Sequence, residues 1–141
     1  MSEQIKLEVI TPERRVFSEM VDEVSVPALG GELGILPGHT PLISQLGTGI
    51  LAYSAGAVTR RLHVSGGFVE VNTGRVSVLA DLAEEAEEID ADQARREMEQ
   101  TEKQLGDFTG SEDEFKETVS RLERAGARLQ LIAENNASAN R

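Results

Sequence analysis

The sequence has no cysteine. Disulfides, thiolate zinc sites and a cysteine nucleophile are therefore excluded, and the composition suits a reducing compartment. No apolar run approaches the ~18 residues that a membrane-spanning helix needs. The opening, MSEQIKLEV, lacks the apolar stretch of a secretory signal and the Arg- and Ser-rich amphipathic pattern of a transit peptide, so neither is expected. Positive charge is scarce: 14 Lys and Arg stand against 25 Asp and Glu, for a net charge of −11. Such a chain repels nucleic acid and anionic lipid, which makes both unexpected as direct partners. Catalytic signatures are missing too. There is no Gly-x-Ser-x-Gly elbow, and the glycine-rich segment GELGILPG has no Lys-Ser/Thr and opens no helix. The chain reads as non-catalytic, with no cofactor.

What is present divides into two regions. Residues 1–83 carry nine acids and six bases, a net of −3, whereas residues 84–141 carry sixteen acids and eight bases, a net of −8. The first region alternates with period two. Ile5, Leu7 and Val9 fall on one face of IKLEVI, and Val21, Val24 and Val26 recur in VDEVSVPA. GILAYSAG, VTRRLHVSGG, FVEVNTG and RVSVLADL continue the pattern, separated by Pro and Gly turn signals such as Pro37-Gly38 and Gly66-Gly67. Eight to ten short strands at this spacing predict an all-β sandwich or flattened barrel over residues 1–83.

The composition changes at Leu82. LAEEAEEID reads as an acidic linker (residues 84–90) ending at a helix N-cap, Asp90, with Gln93 three residues on. Ala91, Ala94, Met98, Thr101 and Leu105 then recur at steps of three and four, and Gly106 is a stop. After DFTG, Ser111 and Glu114 form a second capping box. Phe115, Val119, Leu122, Ala125 or Gly126, Leu129 and Ile132 make another seam. Two helices joined by so short a connection are antiparallel neighbours, so residues 91–135 predict an α-helical hairpin. The polar residues 136–141 read as a frayed tail. Few large apolar side chains serve the hairpin, which makes it a marginal element capable of two arrangements.

Several groups of residues invite a chemical reading. GELGILPG reads as a surface loop containing His39, and His63 lies in a strand; neither histidine has the spaced ligands of a metal site. The acids Glu84, Glu85, Glu87, Glu88 and Asp90 lack the glycine and spaced oxygens of a calcium loop and read as a solvated linker. Arg121, Arg124 and Arg128 form one stripe on the second helix. That stripe is either a solvated face balanced by Glu117 and Glu123, or a cationic strip that docks on an acidic surface or a nucleotide phosphate.

GELGILPGHTPL (Gly31 to Leu42), SGGFVEV (Ser65 to Val71), VSVLAD (Val76 to Asp81) and the opening KLEVITPERRVF (Lys6 to Phe17) together closely resemble the epsilon subunit of bacterial and chloroplast F-type ATP synthases. The resemblance covers nearly the whole chain. It implies an N-terminal sandwich of about ten strands and a C-terminal antiparallel two-helix hairpin. It implies a subunit at the foot of the rotating central stalk, non-catalytic, whose β domain binds the gamma subunit and the ring of c subunits. Glu32 and His39 match loop positions that face that ring. The helices fold down or extend into the alpha/beta catalytic head, where they impede ATP hydrolysis, and the stripe Arg121, Arg124 and Arg128 becomes the strip that meets the head. The implied location is peripheral, reached only through the complex: the cytoplasmic face of a bacterial inner membrane, or the stromal side of a thylakoid. Some relatives bind ATP in the folded hairpin. Glu84, Asp90, Ala94, Arg124 and Arg128 match that site here, while Gln93 and Gln100 stand where its motif has arginines. A free adaptor or chaperone presenting a helical hairpin from a β body is the alternative reading.

Overall fold

The structure, a computed structural model, describes residues 3–139. It divides into two compact units, Met1–Glu84 and Glu85–Arg141. The first contains eight strands: β1 (Ile5–Ile10), β2 (Arg15–Val21), β3 (Glu23–Ala28), β4 (Gly31–Ile35), β5 (Leu42–Gln45), β6 (Thr48–Ala55), β7 (Val58–Asn72) and β8 (Arg75–Glu84). The second contains a short 3-10 turn, Ala86–Glu88, and two helices, α1 (Ala91–Gly106) and α2 (Glu112–Ala139).

The β unit is one hydrogen-bonded sheet folded over on itself. Its order is β2-β1-β8-β7-β6-β3-β4, with β5 paired to β7. β7 makes the fold possible because it changes partner along its length: Val58 to Ser65 pair with β6, and Phe68 to Val71 pair with β5. The change falls at Gly66 and Gly67, both at positive φ (70° and 108°), a conformation L side chains resist. VTRRLHVSGG and FVEVN are thus one bent strand, one reason the count is eight and not about ten.

Alternation explains the core. Leu7, Val9, Val24, Val26, Leu51, Leu62, Val64, Val69, Val76 and Val78 are at most 2% exposed and come from both layers. The core cluster draws no member from beyond Ala83. Burying a side chain of this size contributes roughly 1.5–3 kcal/mol, so the β unit holds its own source of stability. A tilted ring pair, Phe17 and Tyr53 with centroids 5.0 Å apart, lies beside it.

The GELGILPG segment differs from its reading as a loop. Gly31–Ile35 is a strand paired to β3, with Val24 opposite Ile35 and Val26 opposite Leu33. Leu33 and Ile35 alternate inward, which suffices to seat the strand on the core despite its glycines.

The helical unit begins where its caps predict. The Asp90 carboxylate accepts the Gln93 backbone N–H at 3.1 Å. Ser111 and Glu114 form a reciprocal box, with Glu114 N–H donating to Ser111 Oγ at 3.1 Å and Ser111 N–H donating to Glu114 Oε1 at 3.3 Å. α2 runs through residues 136–139, which read as a frayed tail; Asn140 and Arg141 lie outside the described residues. Ala is the best helix former and Asn and Ser are only modestly unfavourable, so propagation from a long helix carries through them.

The helical seam is made of small residues. Ala94, Thr101, Thr118 and Ala125 are buried, while Phe115, expected in it, is 43% exposed and stacks edge-to-face on Phe108 at 5.3 Å. Small side chains let two helix backbones approach closely. The buried threonine hydroxyls are satisfied within their own helices: Thr101 donates to Glu97 O (2.8 Å) and Thr118 to Glu114 O (2.8 Å). Ala127 and Leu131 are buried as well, on the opposite side of α2 from Thr118 and Ala125.

Candidate functional site

The residues singled out in the sequence occupy three places. Glu32 lies on β4 and not in a loop; it accepts a hydrogen bond from Ser25 Oγ. It lines an open cleft of about 420 Å³ with Ser25, Gly34 and Leu36. His39 lies in the turn that follows β4, where its N–H donates to Leu36 O at 3.1 Å. Its Nδ1 is 2.7 Å from Thr40 O and therefore carries the proton, since a carbonyl oxygen only accepts. Glu32 is exposed and His39 half-buried. Both are positioned by the β3–β4 hairpin and the turn after it.

The arginines lie along α2. Arg121 is not a loose surface cation. Its Nε donates to Glu97 Oε1 of α1 at 2.7 Å, with both side chains about one-third exposed (34% and 29%). This bond, with the added field of Glu97 and Glu117, holds the Arg121 guanidinium above its already high ordinary value, against a small opposing effect of burial. The pair fastens the two helices beside their small-residue seam. At that exposure it contributes about 1 kcal/mol or less. Arg124 and Arg128 sit one turn apart, both half-buried. On α1, Asp92 pairs with Arg95, and on α2 Lys116 reaches Glu112 at 3.7 Å.

The positions matching an ATP site are divided. Glu84 is the last residue of the β unit, and Asp90, Ala94, Arg124 and Arg128 belong to the helical unit. Two of the carboxylates already have work. Asp90 caps α1, and Glu84 Oε1 accepts from His63 Nδ1 at 2.9 Å. Ala94 is buried in the seam.

Two features escaped the sequence. The first is the pair just described: His63 is wholly buried, and its Nε2 has no hydrogen-bond partner among the described residues. Only the β7–β8 register, which sets His63 opposite Glu84, joins residues 21 apart. The second is a carboxylate with three cations. Glu8 on β1 is 6% exposed, and Lys6 Nζ (4.0 Å), Arg15 Nη2 (3.7 Å) and Arg75 Nε (3.6 Å) surround it. No group of His, Asp or Glu among the described residues is arranged to hold a metal ion, and no described helix is long and apolar enough to cross a membrane.

Comparison with known proteins gives a consistent result for both units. Residues 4–86 match the family described as ATP synthase, Delta/Epsilon chain, beta-sandwich domain, and residues 87–133 match its long alpha-helix domain. The chain is 41% identical over 131 residues to the ATP synthase epsilon chain of Nitratidesulfovibrio vulgaris, covering 93% of this chain and 97% of that one. It is 44% identical over 131 residues, with the same coverage, to the ATP synthase epsilon chain of Syntrophobacter fumaroxidans. Among solved structures it resembles a chain of the Euglena gracilis mitochondrial ATP synthase, in a structure of OSCP, F1 and c-ring, with a TM-score of 0.78 and 27% identity over 90% of this chain and 80% of that one. With both units matched in order and relatives aligned along nearly their full length, this chain belongs to the ATP synthase delta/epsilon chain family, as an epsilon chain.

Proposed function

We propose that this chain is the non-catalytic epsilon subunit of the central stalk of a rotary, proton-transporting ATP synthase. Its β unit couples the gamma subunit to the c-ring, and its helical unit restrains ATP hydrolysis by the alpha/beta head. The observation that carries the reading is the division of one chain into two units, each matched by the corresponding domain of the same family. The complex is membrane-associated, and the chain reaches the membrane through it, on the cytoplasmic side in a bacterium. In this reading Glu32 and His39 present the β3–β4 end of the sandwich to the ring, and the α2 arginines meet acidic groups on the head when the hairpin extends.

The geometry separates those arginines. Arg121 is held by Glu97 within the hairpin, so it has to exchange one carboxylate for another before it can serve the head. Replacing Arg121, Arg124 and Arg128 together by alanine should raise ATP hydrolysis severalfold while sparing assembly. Arg121→Ala alone should give the smaller part of that rise and should also lower the melting temperature of the helical unit. Hydrolysis assays of complexes reconstituted with each variant test this. Unchanged hydrolysis in a complex that the wild-type chain does inhibit removes the arginines from the mechanism.

ATP is not a strong ligand in this reading. A nucleotide triphosphate carries about four negative charges at neutral pH and meets a C-terminal region of the same sign. Arg124 and Arg128 remain, but Gln93 and Gln100 donate hydrogen bonds without charge. Each lost charged hydrogen bond costs roughly 1.5–3 kcal/mol, so two losses weaken binding by about two orders of magnitude or more. Isothermal titration of the full chain with Mg-ATP should show at best millimolar affinity. A dissociation constant of about 10 μM or tighter would make the hairpin a nucleotide sensor without those arginines.

A further inference from the structure

The Glu8 cluster lies on the outward face of the sandwich, and its charges do not balance. Alternation along β1 puts Ile5, Leu7 and Val9 in the core and Lys6, Glu8 and Ile10 on the outer face. The parallel register of β1 and β8 sets Lys6 directly against Arg75. Arg15 joins from β2, opposite Ile10. One carboxylate among three cations leaves this corner at +2 in a chain whose net charge is −11. A single arginine is enough to pair a buried glutamate. Like charges directly opposed on neighbouring strands are destabilising, so the second and third cations bring the isolated chain little.

Beside the cations runs an apolar row. Ile10, Leu79 and Phe68 are mutual cross-strand partners on β1, β8 and β7. Leu79 is 47% exposed and Phe68 49%. With Leu29 and Leu46 they line a cleft of about 630 Å³ at the bend of β7. Glu70 and Asp81 are the acids of this face, on β7 and β8. Charge is therefore ordered across it: positive at the β1–β2 corner, apolar in the middle, negative beyond.

We infer that this outer face, cations Lys6, Arg15 and Arg75 beside the row Ile10–Leu79–Phe68, is a docking surface for a protein segment that presents two or more carboxylates next to aliphatic side chains. The uncompensated cations argue for such a partner, because an acidic segment relieves the repulsion that the free chain carries. The apolar row supplies contact area, and the ordered charges fix the direction in which the segment lies.

The assignment rests on the stalk-subunit reading, so the probe is the purified gamma subunit of the same complex, titrated with the full-length chain at low and high salt. Lys6→Gln with Arg75→Gln should weaken binding roughly tenfold to a hundredfold at low salt and flatten its salt dependence, while the melting temperature of the chain stays the same or rises. Arg75→Lys, which keeps the charge, should retain most of the binding. Phe68→Ser with Leu79→Ser should weaken binding while leaving its salt dependence intact. If the charge variant binds like wild type, or melts lower with binding unchanged, the cluster is structural and the assignment fails while the stalk reading stands. If the wild-type chain does not bind gamma at all, the stalk reading fails and this assignment with it. Sedimentation of the chain alone supplies a further arm: dimers at micromolar concentration that Phe68→Ser with Leu79→Ser dissolves would give the face to a second copy and overturn the proposal.

Discussion

Ending the chain at Glu88 should leave a folded β unit that still joins the stalk, and ATP hydrolysis by the resulting complex should rise by up to about tenfold. The argument for folding is energetic. Every member of the core cluster lies between Ile5 and Ala83, so truncation removes none of them. The helical unit, by contrast, buries one large apolar side chain completely, Leu131, and otherwise mostly Ala and Thr. An element of this kind is weakly held and can adopt a second arrangement. The rise in hydrolysis follows from population: each ~1.4 kcal/mol favouring an extended, inhibiting hairpin is a factor of ten in the ratio of inhibited to free complexes, and deletion abolishes that term. Circular dichroism should show a cooperative melt of the truncated chain, and co-purification with the complex should persist. A truncated chain that is unfolded, or that fails to assemble, contradicts the independence of the β unit.

What the sequence reveals here depends on how far apart the interacting residues are. The two caps were legible because Asp90 and Gln93, or Ser111 and Glu114, are three residues apart and act locally. The core faces of β1, β3 and β8 were legible because burial on one side enforces a period of two. The helical seam was misread because hydrophobicity favoured Phe115 and Val119, whereas close helix packing selects size and places Thr118 and Ala125 at the contact. Thr118 can be buried because its hydroxyl bonds back to Glu114 O, a compensation that no hydropathy pattern shows. The candidate interaction features are the least legible. Glu32 and His39 stand out only through a resemblance. Lys6 and Arg75, or His63 and Glu84, meet only once the strand order is known. Arg121 looked like one member of a stripe, yet its partner Glu97 is on the other helix, 24 residues away.

Gly67→Ala should cost the β unit about 3–5 kcal/mol, and a glycine change of the opposite sign provides its control. At φ +108° an L side chain is strained before any neighbour is considered, by roughly 1–2 kcal/mol. A Cβ there would stand 2.0 Å from Leu79 O and 3.0 Å from Ala80 Cα, both backbone atoms of the adjacent strand. Backbone cannot swing aside as the end of a flexible side chain can, so β7 and β8 have to part locally, an overpacking that costs typically 1–3 kcal/mol or more. The same residue's carbonyl accepts the Leu46 N–H at 2.9 Å, which ties the bend to β6's approach and transmits any shift. For a domain of this length each 1 kcal/mol lowers the melting temperature by about 4–8 °C, so the β unit should melt roughly 15–30 °C lower. Gly126, in the interior of α2, has nothing within 4 Å of a built Cβ. Gly126→Ala should therefore stabilise the helix by about 0.5–1 kcal/mol through propensity alone. Thermal melts of the full chain, followed separately at helical and β-sheet wavelengths, resolve the two. A Gly67→Ala chain that melts within about 3 °C of wild type would mean that the bend relaxes around the new methyl, and that partner exchange along β7 does not depend on this close approach.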